Sequence, residues 1–338
     1  MKIGVVGDIH WSKYSSIVRS NLDKYSTRLQ NCIDSINWAE QLTSNCDMVV
    51  YLGDFFDKPE LNSMEITALN EINWNANNHF FLVGNHELGI NDLSLSSSHI
   101  FNEISSGETV DKPFNLHYDD ECINLGFIPY VLESNRGSMS DYVEYIDGYK
   151  NIVFSHNDIA GIQMGAIVSP TGFNISDIEE NCDLFLNGHL HNGSKVTDKI
   201  INVGNLTGQN FSEDAKKYEH VVLILDTDTM VSDVYENPYA FNFYKLDNVS
   251  DLYSLKNNSV VTIKVCENDF DNAKIAINSL SNVIASRVIL NSSNSSSTDI
   301  GIQEKLDVNH LDKFKEFVLE KLGNSEIIKE ELMEITNG

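Results

Sequence analysis

Residue types that bind cations follow directly after five apolar runs of this sequence. The polar groups are Asp8-Ile9-His10, Asp54, Asn85-His86, His156 and His189-Leu190-His191. Each preceding run is short, apolar and bounded by polar residues, which is typical of a buried strand. Because open α/β sheets collect ligands at the C-terminal ends of their strands, we expect these side chains to meet at one edge.

The candidate ligands combine hard oxygen donors with imidazole nitrogens and include no thiolate. They are Asp8, His10, Asp54, Asn85, His156, His189 and His191. This mixture suits Mn²⁺, Fe²⁺ or Zn²⁺ with open coordination positions. The set is too large for one ion and sufficient for two if one carboxylate bridges. Two ions roughly 3.5–4 Å apart would acidify a shared water and stabilise an in-line displacement, which suits phosphoester hydrolysis.

The elements that must position these residues alternate between strands and helices. Apolar residues at helical spacing predict a helix within residues 25–42, and Asn62 with Glu65 predicts a capping box at the start of a second. Strand, helix, strand, helix, strand is the start of a layered α/β fold. Farther along, we expect a short helix at 141–149 and an antiparallel pair of strands at 199–203 and 220–226.

The composition changes near Asn248, where a smaller unit begins. A strand at 260–265, a helix at 269–280 and a strand at 285–290 predict a compact β-α-β piece without candidate ligands. The predicted organisation is a main domain at 1–247, a small domain at 248–290, a Ser/Asn-rich linker at 291–299 and a charged helical segment at 300–338. That last helix either packs on its own core or docks into the groove of a partner, and the sequence favours neither.

Composition and charge restrict the environment and the partners of the protein. Its formal net charge is −27, so its surface repels nucleic acid at long range, and any basic contact must be local or come from another chain. The five cysteines are scattered and show no CxxC pairing, which argues against disulfides and thiolate zinc sites. We expect small core thiols, a reducing cytoplasm, no signal peptide and no transmembrane helix.

Five sequence blocks together resemble the calcineurin-like metallophosphoesterase superfamily. They are Gly7-Asp8-Ile9-His10, Gly53-Asp54, Gly84-Asn85-His86-Glu87, Ser155-His156 and Gly188-His189-Leu190-His191, and they occur in the order typical of that superfamily. The resemblance covers roughly the first 210 residues. It implies a β-sandwich flanked by helices and a site with two divalent metal ions.

The resemblance also implies a role for each site residue. Asp8, His10 and His191 would hold one metal. Asn85, His156 and His189 would hold the other, and Asp54 would bridge the two. His86 would contact the scissile phosphate and protonate the leaving oxygen as a catalytic residue. Asp57 either orients His86, as a second catalytic residue, or is a loop carboxylate in a local turn.

Two further segments resemble the SbcD-type nuclease branch of that superfamily. They are Gly53-Asp54-Phe55-Phe56-Asp57-Lys58-Pro59 and Phe127-Ile128-Pro129-Tyr130. By resemblance, residues 248–290 are a capping domain and the C-terminal helices dock on an SbcC-type coiled-coil ATPase. The expected protein is therefore a phage-type, Mn²⁺-dependent nuclease subunit for DNA repair, recombination or replication, acting as an exonuclease on duplex ends and an endonuclease on single strands. A homodimer is expected on the same ground.

Two other hypotheses remain open at the level of sequence. A small-molecule phosphodiesterase or phosphatase would use the same metal site but has no need for a separate C-terminal helix. A non-catalytic scaffold would keep the ligands for folding alone. The isolated basic residues Lys13, Arg19, Lys58 and Arg136 are expected to be ordinary surface charges rather than DNA contacts.

Overall fold

Two six-stranded sheets form the centre of the structure, a computed structural model that describes residues 1–15, 18, 24–103, 106–164 and 167–291. The first sheet has the order Val231–Glu236, Val221–Asp226, Lys2–Val6, Met48–Tyr51, His79–Leu82, Gly107–Val110. The second has the order Ser194–Lys195, Ile200–Asn202, Leu184–Asn187, Lys150–Ser155, Ile123–Ile128, Phe114–Tyr118. Four neighbouring strands run parallel in each sheet, so their C-terminal ends share an edge.

The two sheets pack face to face because their strands are apolar on both sides. Along the strand Met48–Tyr51, Met48 and Val50 point into the core between the sheets, whereas Val49 and Tyr51 point to the helices on the outer face. This alternation is the two-residue period of a strand. A parallel strand that is buried on both faces reads as a continuous apolar run, which is how these strands appear in the sequence.

Helices cover the outer faces of both sheets. The α-helices are α1 (Thr27–Leu42), α2 (Ser63–Ala68), α3 (Ile175–Asn181) and α4 (Phe270–Ser279). The side chain of Ser26 caps α1 by accepting the N–H of Leu29, and Asn62 and Glu65 form the predicted capping box of α2. The first sheet packs against α1, and the second packs against α3. The layered α/β architecture predicted from the sequence is therefore confirmed.

A separate three-stranded parallel sheet follows the two large ones. It consists of Asn242–Leu246, Ser259–Val265 and Val283–Leu290, and α4 packs against it around a core of its own. The predicted β-α-β piece is present. Its sheet also recruits Asn242–Leu246, which lies ahead of the boundary at residue 248, because that strand pairs in parallel with Ser259–Val265.

The remaining elements are short. Two-residue to five-residue strands pair as Leu88–Gly89 with Asp92–Ser96, and as Gln163–Met164 with Ile167–Val168. The 3-10 helices are Leu69–Glu71, Ser97–Glu103, Asp119–Glu121, Glu133–Asn135, Met139–Asp141, Val249–Ser254 and Glu267–Asp269. Among the described residues no helix has the length and apolar character to cross a membrane. The predicted helical segment at 300–338 and all of the linker except Asn291 lie outside the described residues.

Two local predictions were wrong. The strands predicted at 199–203 and 220–226 do not pair with each other, because Ile200–Asn202 joins the second sheet while Val221–Asp226 pairs with Lys2–Val6 in the first. The helix predicted at 141–149 is absent from that described segment, which turns tightly at Gly148 with φ +84°. Asn151 explains this turn, since its side chain bonds both the N–H and the carbonyl of Ile146.

The prediction that the cysteines are small core residues is confirmed for only three of the five. All five cysteines are free thiols, as expected. Cys32, Cys46 and Cys182 are buried, but Cys122 and Cys266 are exposed.

Candidate metal centre

The predicted site residues meet where parallel strands of the two sheets end. Asp8 and His10 follow Lys2–Val6, Asp54 follows Met48–Tyr51, Asn85 and His86 follow His79–Leu82, His156 follows Lys150–Ser155, and His189 and His191 follow Leu184–Asn187. Three of them have left-handed backbones: His10 at φ 51°, Asp54 at φ 46° and His189 at φ 72°. Asn, Asp and His tolerate this conformation better than other side chains, and such strained residues cluster at functional sites.

Glycines before the ligands allow the strand ends to approach closely. A Cβ atom at Gly84 would overlap the side chain and the backbone nitrogen of Asp54, and one at Gly53 would overlap the His156 imidazole. Gly53 also has φ +104°, which glycine adopts without strain. Gly53 and Gly84 are therefore packing requirements of the site.

One group of ligand atoms brings four acceptors together. The His156 Nε2 atom lies 3.1 Å from Asn85 Oδ1 and 3.2 Å from Asp54 Oδ2. The His189 Nδ1 atom lies 3.0 Å from Asn85 Oδ1 and 3.3 Å from His156 Nε2. Their other ring nitrogens donate elsewhere, His156 Nδ1 to the Leu52 carbonyl at 2.7 Å and His189 Nε2 to Asp158 at 3.0 Å. Both imidazoles therefore direct lone pairs at the two oxygens.

A second group lies on the other side of Asp54. His10 Nε2 and His191 Nε2 are 3.0 Å apart, and Asp54 Oδ2 lies 3.9 Å from His10 Nε2. His191 uses its Nδ1 atom to bond Glu213 at 2.9 Å, so its Nε2 carries a lone pair. The fully buried Asp8 completes the group, since ligand atoms of Asp8, His10 and His191 lie within 4.8 Å of one another. Asp8 Oδ2 is buried and accepts no hydrogen bond from any described residue.

These two groups fit a pair of divalent cations. Lone pairs that converge without a donor, and a buried carboxylate oxygen without a partner, repel one another unless a positive charge lies between them. Asp54 Oδ2 faces both groups, as a bridging carboxylate must. The oxygen and imidazole donors suit a borderline transition ion. The residues present therefore fit the metals that the sequence analysis expected.

The ionisation of the site residues reflects the same attraction for positive charge. Burial lowers the pKa of His156, but the carboxylates of Asp54 and Asp8 outweigh it and raise that pKa to about 9. Burial raises the pKa of Asp54, yet His156 and His10 outweigh it and hold that pKa below its ordinary value. Without a cation, a proton on His156 Nε2 takes the place of the lone pair and balances Asp54. A divalent cation at the same atoms would compete with that proton.

His86 stands at the open side of the cluster. Its backbone N–H donates to Asp54 Oδ1 at 2.9 Å, and its ring meets that of His10 edge-on at 4.7 Å. Its side chain is 42% exposed. The side chains of the other candidate site histidines are at most 19% exposed; these are His10, His156, His189 and His191. Ligand atoms of His10, Asp54 and His86 also fall within 4.8 Å, so His86 lies within reach of a cation as well as of a substrate.

Asp57 contacts two histidines rather than one. Its Oδ1 atom lies 3.3 Å from His10 Nδ1 and 3.9 Å from His86 Nδ1, while its backbone carbonyl lies 3.2 Å from His86 Nδ1. The carboxylate is thus nearer to a candidate ligand than to the candidate acid. Burial raises the pKa of Asp57, but the contact with His10 outweighs it, so the pKa of Asp57 lies below its ordinary value.

Sequence reasoning missed four carboxylates and amides that support the site: Asp158, Gln209, Glu213 and Glu87. Buried Glu87 accepts the backbone N–H groups of Gly84 and Phe56, which ties two strand ends together, and burial raises its pKa to about 7. Glu87 is the last residue of the block Gly84-Asn85-His86-Glu87, and Asp158 lies two residues after His156. Their positions in the sequence therefore marked both as candidates for a supporting role. Glu213 and Gln209 lie in an irregular loop, where no pattern of the sequence marks them.

Two arginines have structural roles that the sequence did not reveal. Arg136 was expected to be a surface charge, but its side chain is only 4% exposed and donates to the carbonyls of Val131 and Asp158. Arg28 is buried and donates to the carbonyls of Ile9, His10 and Gly208. These guanidinium groups fix loops around the site.

Comparisons with known proteins agree with this geometry. A sequence model of the family described as calcineurin-like phosphoesterase matches residues 1–225, which include every candidate site residue. The chain is also similar to a protein of Invertebrate iridescent virus 6 that bears the name "Putative phosphoesterase 244L". The two are 27% identical over 226 residues, which are 63% of this chain and 72% of the viral protein.

Proposed function

We propose, from the premise that this chain belongs to the calcineurin-like phosphoesterase family, that it is a divalent-metal-dependent nuclease subunit that hydrolyses the phosphodiester bonds of DNA. The observation that carries the hydrolytic part is the convergence of Asp54 Oδ2, Asn85 Oδ1 and the lone-pair nitrogens of His156 and His189 beside an exposed His86. Family membership supports a phosphoesterase. DNA as the substrate is our own assignment.

In the proposed site the ligands divide between two cations. Asp8, His10 and His191 would hold one, Asn85, His156 and His189 the other, and Asp54 would contact both. Bound divalent ions supply Lewis-acid chemistry there, which acidifies water and neutralises charge on a phosphate. The ligand set suits Mn²⁺, Fe²⁺ or Zn²⁺, since it mixes carboxylate, amide and imidazole donors. We assign Mn²⁺ from the resemblance to the SbcD-type branch.

His86 is proposed as the general acid. Its ring is exposed, it borders the cation ligands His10 and Asp54, and its Nδ1 atom lies 3.2 Å from the Asp57 carbonyl. If that contact fixes a proton on Nδ1, Nε2 is free to face a substrate, and in the imidazolium form Nε2 can give a proton to the leaving oxygen.

The segment Gly53–Pro59 supports DNA as the substrate through its resemblance to the SbcD-type branch. A cavity of about 680 Å³ next to the site also offers room for a nucleotide-sized group. Its lining includes His189 and His191, the uncharged polar residues Asn192, Asn210 and Ser212, and apolar residues such as Ile162, Ile175 and Leu190. Such walls suit a sugar and a base better than a second phosphate.

An ATPase partner of SbcC type, bound through residues 300–338, and a homodimer belong to the same proposal. The net charge of −27 supports the need for a partner, because the described part of the chain provides few basic groups near the site. A second cavity, of about 530 Å³, is lined by four lysines: Lys195, Lys216, Lys217 and Lys256. Each of these lysines is already paired with a carboxylate.

The test is a comparison of substrates with purified protein and Mn²⁺. Labelled single-stranded and duplex DNA and a chromogenic phosphodiester would be offered to the wild type, to His86→Ala and to the control His117→Ala, whose imidazole is similarly exposed but remote in sequence and paired with Glu144. We expect DNA cleavage that falls on the order of 100-fold or more in His86→Ala, with bound Mn²⁺ unchanged, and is unaffected in the control.

Efficient hydrolysis of the small diester without DNA cleavage, alone and with the ATPase, would reject the nuclease and favour a small-molecule phosphodiesterase. Wild-type cleavage by His86→Ala would reject the role of His86. Near-wild-type function of His86→Ala in cells, although its cleavage activity is lost, would favour a scaffold that keeps the ligands for folding.

A further inference from the structure

The histidines of the two proposed cation positions are held from behind by different residues. Behind His191, the Nδ1–H group donates to Glu213 Oε1 at 2.9 Å. Glu213 is only 3% exposed, and its other oxygen, Oε2, accepts the backbone N–H of Gln209 at 2.7 Å. The carboxylate therefore has both oxygens occupied, and its orientation is fixed by the loop at Gln209.

The same glutamine reaches the histidine on the other side of this position. The Gln209 side chain donates through Nε2 to Asp57 Oδ1 at 3.1 Å, and that oxygen lies 3.3 Å from His10 Nδ1. Gln209 thus touches both carboxylates, one through its backbone and one through its side chain. His10 and His191, whose Nε2 atoms are 3.0 Å apart, are braced by a continuous chain of contacts.

The loop that presents Gln209 is itself well anchored. Asn205 Oδ1 accepts the N–H groups of Thr207 and Gly208 at 2.8 and 2.7 Å, and Gly208 turns with φ +71°. Buried Arg28 donates to the Gly208 carbonyl and to the carbonyls of Ile9 and His10. The segment at Asn205–Gln209 is therefore tied to the strand end that carries His10.

Among the residues that the structure describes, no hydrogen bond or ion pair links Asp57, Gln209 or Glu213 to the histidines of the other cation position. His189 is held by Asp158, whose Oδ1 accepts from His189 Nε2 at 3.0 Å, and His156 is held by the Leu52 carbonyl. Asp158 is in turn close to Arg136, at 3.9 Å. Within the described residues no hydrogen bond or ion pair joins Asp158 to Asp57, Gln209 or Glu213.

We infer that Asp57, Gln209 and Glu213 act together as positioning residues for the cation held by Asp8, His10 and His191, and that Asp158 does the same for the other cation alone. The inference rests on the proposed two-cation site. It assigns Gln209, an amide outside the proposed ligand set, the task of holding two carboxylates and through them two ligands. Partners of this kind orient the ring and fix its tautomer, which strengthens binding.

The experiment measures the binding of Mn²⁺ to the full chain by calorimetry at constant pH, after treatment with a chelator. We expect two binding steps in the wild type. Glu213→Gln and Gln209→Ala should each weaken one step by about 10- to 100-fold and leave the other unchanged. Asp158→Asn should weaken the other step. Gln41→Ala, an exposed glutamine on α1, is the matched control and should change neither.

A double-variant cycle separates positioning from general damage. Because Glu213 is inferred to act through His191, Glu213→Gln should add little to the loss of affinity in His191→Ala, whereas Asp158→Asn should add its full effect. Melting temperatures in chelator test the fold, and the variants are interpreted only where the metal-free protein melts as the wild type does. A third variant, Asp57→Asn, keeps the size of the side chain and provides an independent test of the contacts that join Glu213, Gln209 and Asp57.

The results distinguish this inference from the proposed function. A wild type that binds fewer than two Mn²⁺ ions would overturn both. Two ions bound normally by the wild type, with equal weakening of both steps or no weakening in Glu213→Gln, Gln209→Ala and Asp57→Asn, would overturn the positioning roles alone. Neither outcome depends on whether DNA is cut.

Discussion

At the scale of the residue, Asp54 is the carboxylate that lies between the two groups of candidate ligands. Its Oδ1 accepts the His86 backbone N–H, and its Oδ2 lies 3.2 Å from His156 and 3.9 Å from His10. One carboxylate therefore touches both cation positions and the proposed acid. Its left-handed backbone, at φ 46°, turns the side chain towards all of these groups.

Replacing Asp54 with asparagine tests the bridge without disturbing the turn, since asparagine also tolerates φ > 0. We expect turnover of a small diester to fall on the order of 100-fold or more. Wild-type protein should gain about 2.7 kcal/mol of stability in Mn²⁺ at 100 times the dissociation constant, and Asp54→Asn should gain much less. Thermal melts with and without Mn²⁺ provide the measurement.

Asp233→Asn is the control, because that carboxylate is exposed on the edge strand Val231–Glu236. If Asp54→Asn binds as much Mn²⁺ as wild-type protein, the bridging assignment is wrong.

At the scale of the element, the site depends on how closely the strand ends approach one another. The turn at Gly84 packs directly onto Asp54, and Glu87 holds it there through the N–H groups of Gly84 and Phe56. The loop between a strand and its ligand is therefore as constrained as the strand. A substitution in this loop should act on metal binding through Asp54.

Gly84→Ala and Gly148→Ala form a matched pair that separates contact from backbone strain. Gly84→Ala should lower stability by about 1–3 kcal/mol and weaken Mn²⁺ binding, because the added methyl group displaces Asp54. Gly148 has φ +84° and open space around it, so Gly148→Ala should cost about 1–2 kcal/mol and leave Mn²⁺ affinity intact. Equal Mn²⁺ affinity in both variants would show that the contact at Gly84 is unimportant.

At the scale of the whole molecule, the net charge of −27 governs how the protein meets a polyanion. A basic DNA-binding protein loses affinity steeply as salt rises, since bound cations are released from the phosphates. In this protein long-range repulsion opposes association, and salt screens that repulsion. Counterion release therefore lowers the affinity for DNA as salt rises, whereas screening of the repulsion raises it.

We therefore expect the KM for DNA cleavage by the isolated chain to stay constant or to fall as NaCl rises from about 10 to 150 mM, where the Debye length shortens from about 30 to 8 Å. Steady-state kinetics with a labelled oligonucleotide at fixed Mn²⁺ would measure this KM. The control is the turnover of a chromogenic diester at the same salt concentrations, which should stay constant. A KM that rises steeply with salt would reveal a basic DNA surface that we have not identified.

Residues 1–291 form one compact unit with its own cores, which suggests a clean test of the C-terminal segment. A chain that ends at Asn291 should hydrolyse the small diester at the wild-type rate, because all candidate ligands lie before residue 192. It should lose the ability to co-purify with a coiled-coil ATPase expressed from the same source. Retained co-purification would assign partner binding to residues before 292.

The sequence by itself determined which residues are candidates for the site and the layers of structure around them. Apolar runs that end in a glycine and then Asp, Asn or His predicted strands and the ligands that follow them, because both the two-residue period and the glycine requirement are local properties. The small β-α-β unit, helix α1 and the capped helix α2 were predicted for the same reason. The helical pattern failed at 141–149, where the side chain of nearby Asn151 bonds the backbone of Ile146 and competes with a helix.

Only the tertiary structure decided which groups stand behind the ligands. Pairing of 200–202 with one sheet and of 221–226 with the other depends on contacts between distant segments, and so do the partners Glu213 of His191 and Gln209 of Asp57. Glutamine and glutamate in an irregular loop have no periodic pattern that marks their role. Their function arises from where the fold places the loop, since a hydrogen bond depends on distance in space and direction rather than on sequence spacing.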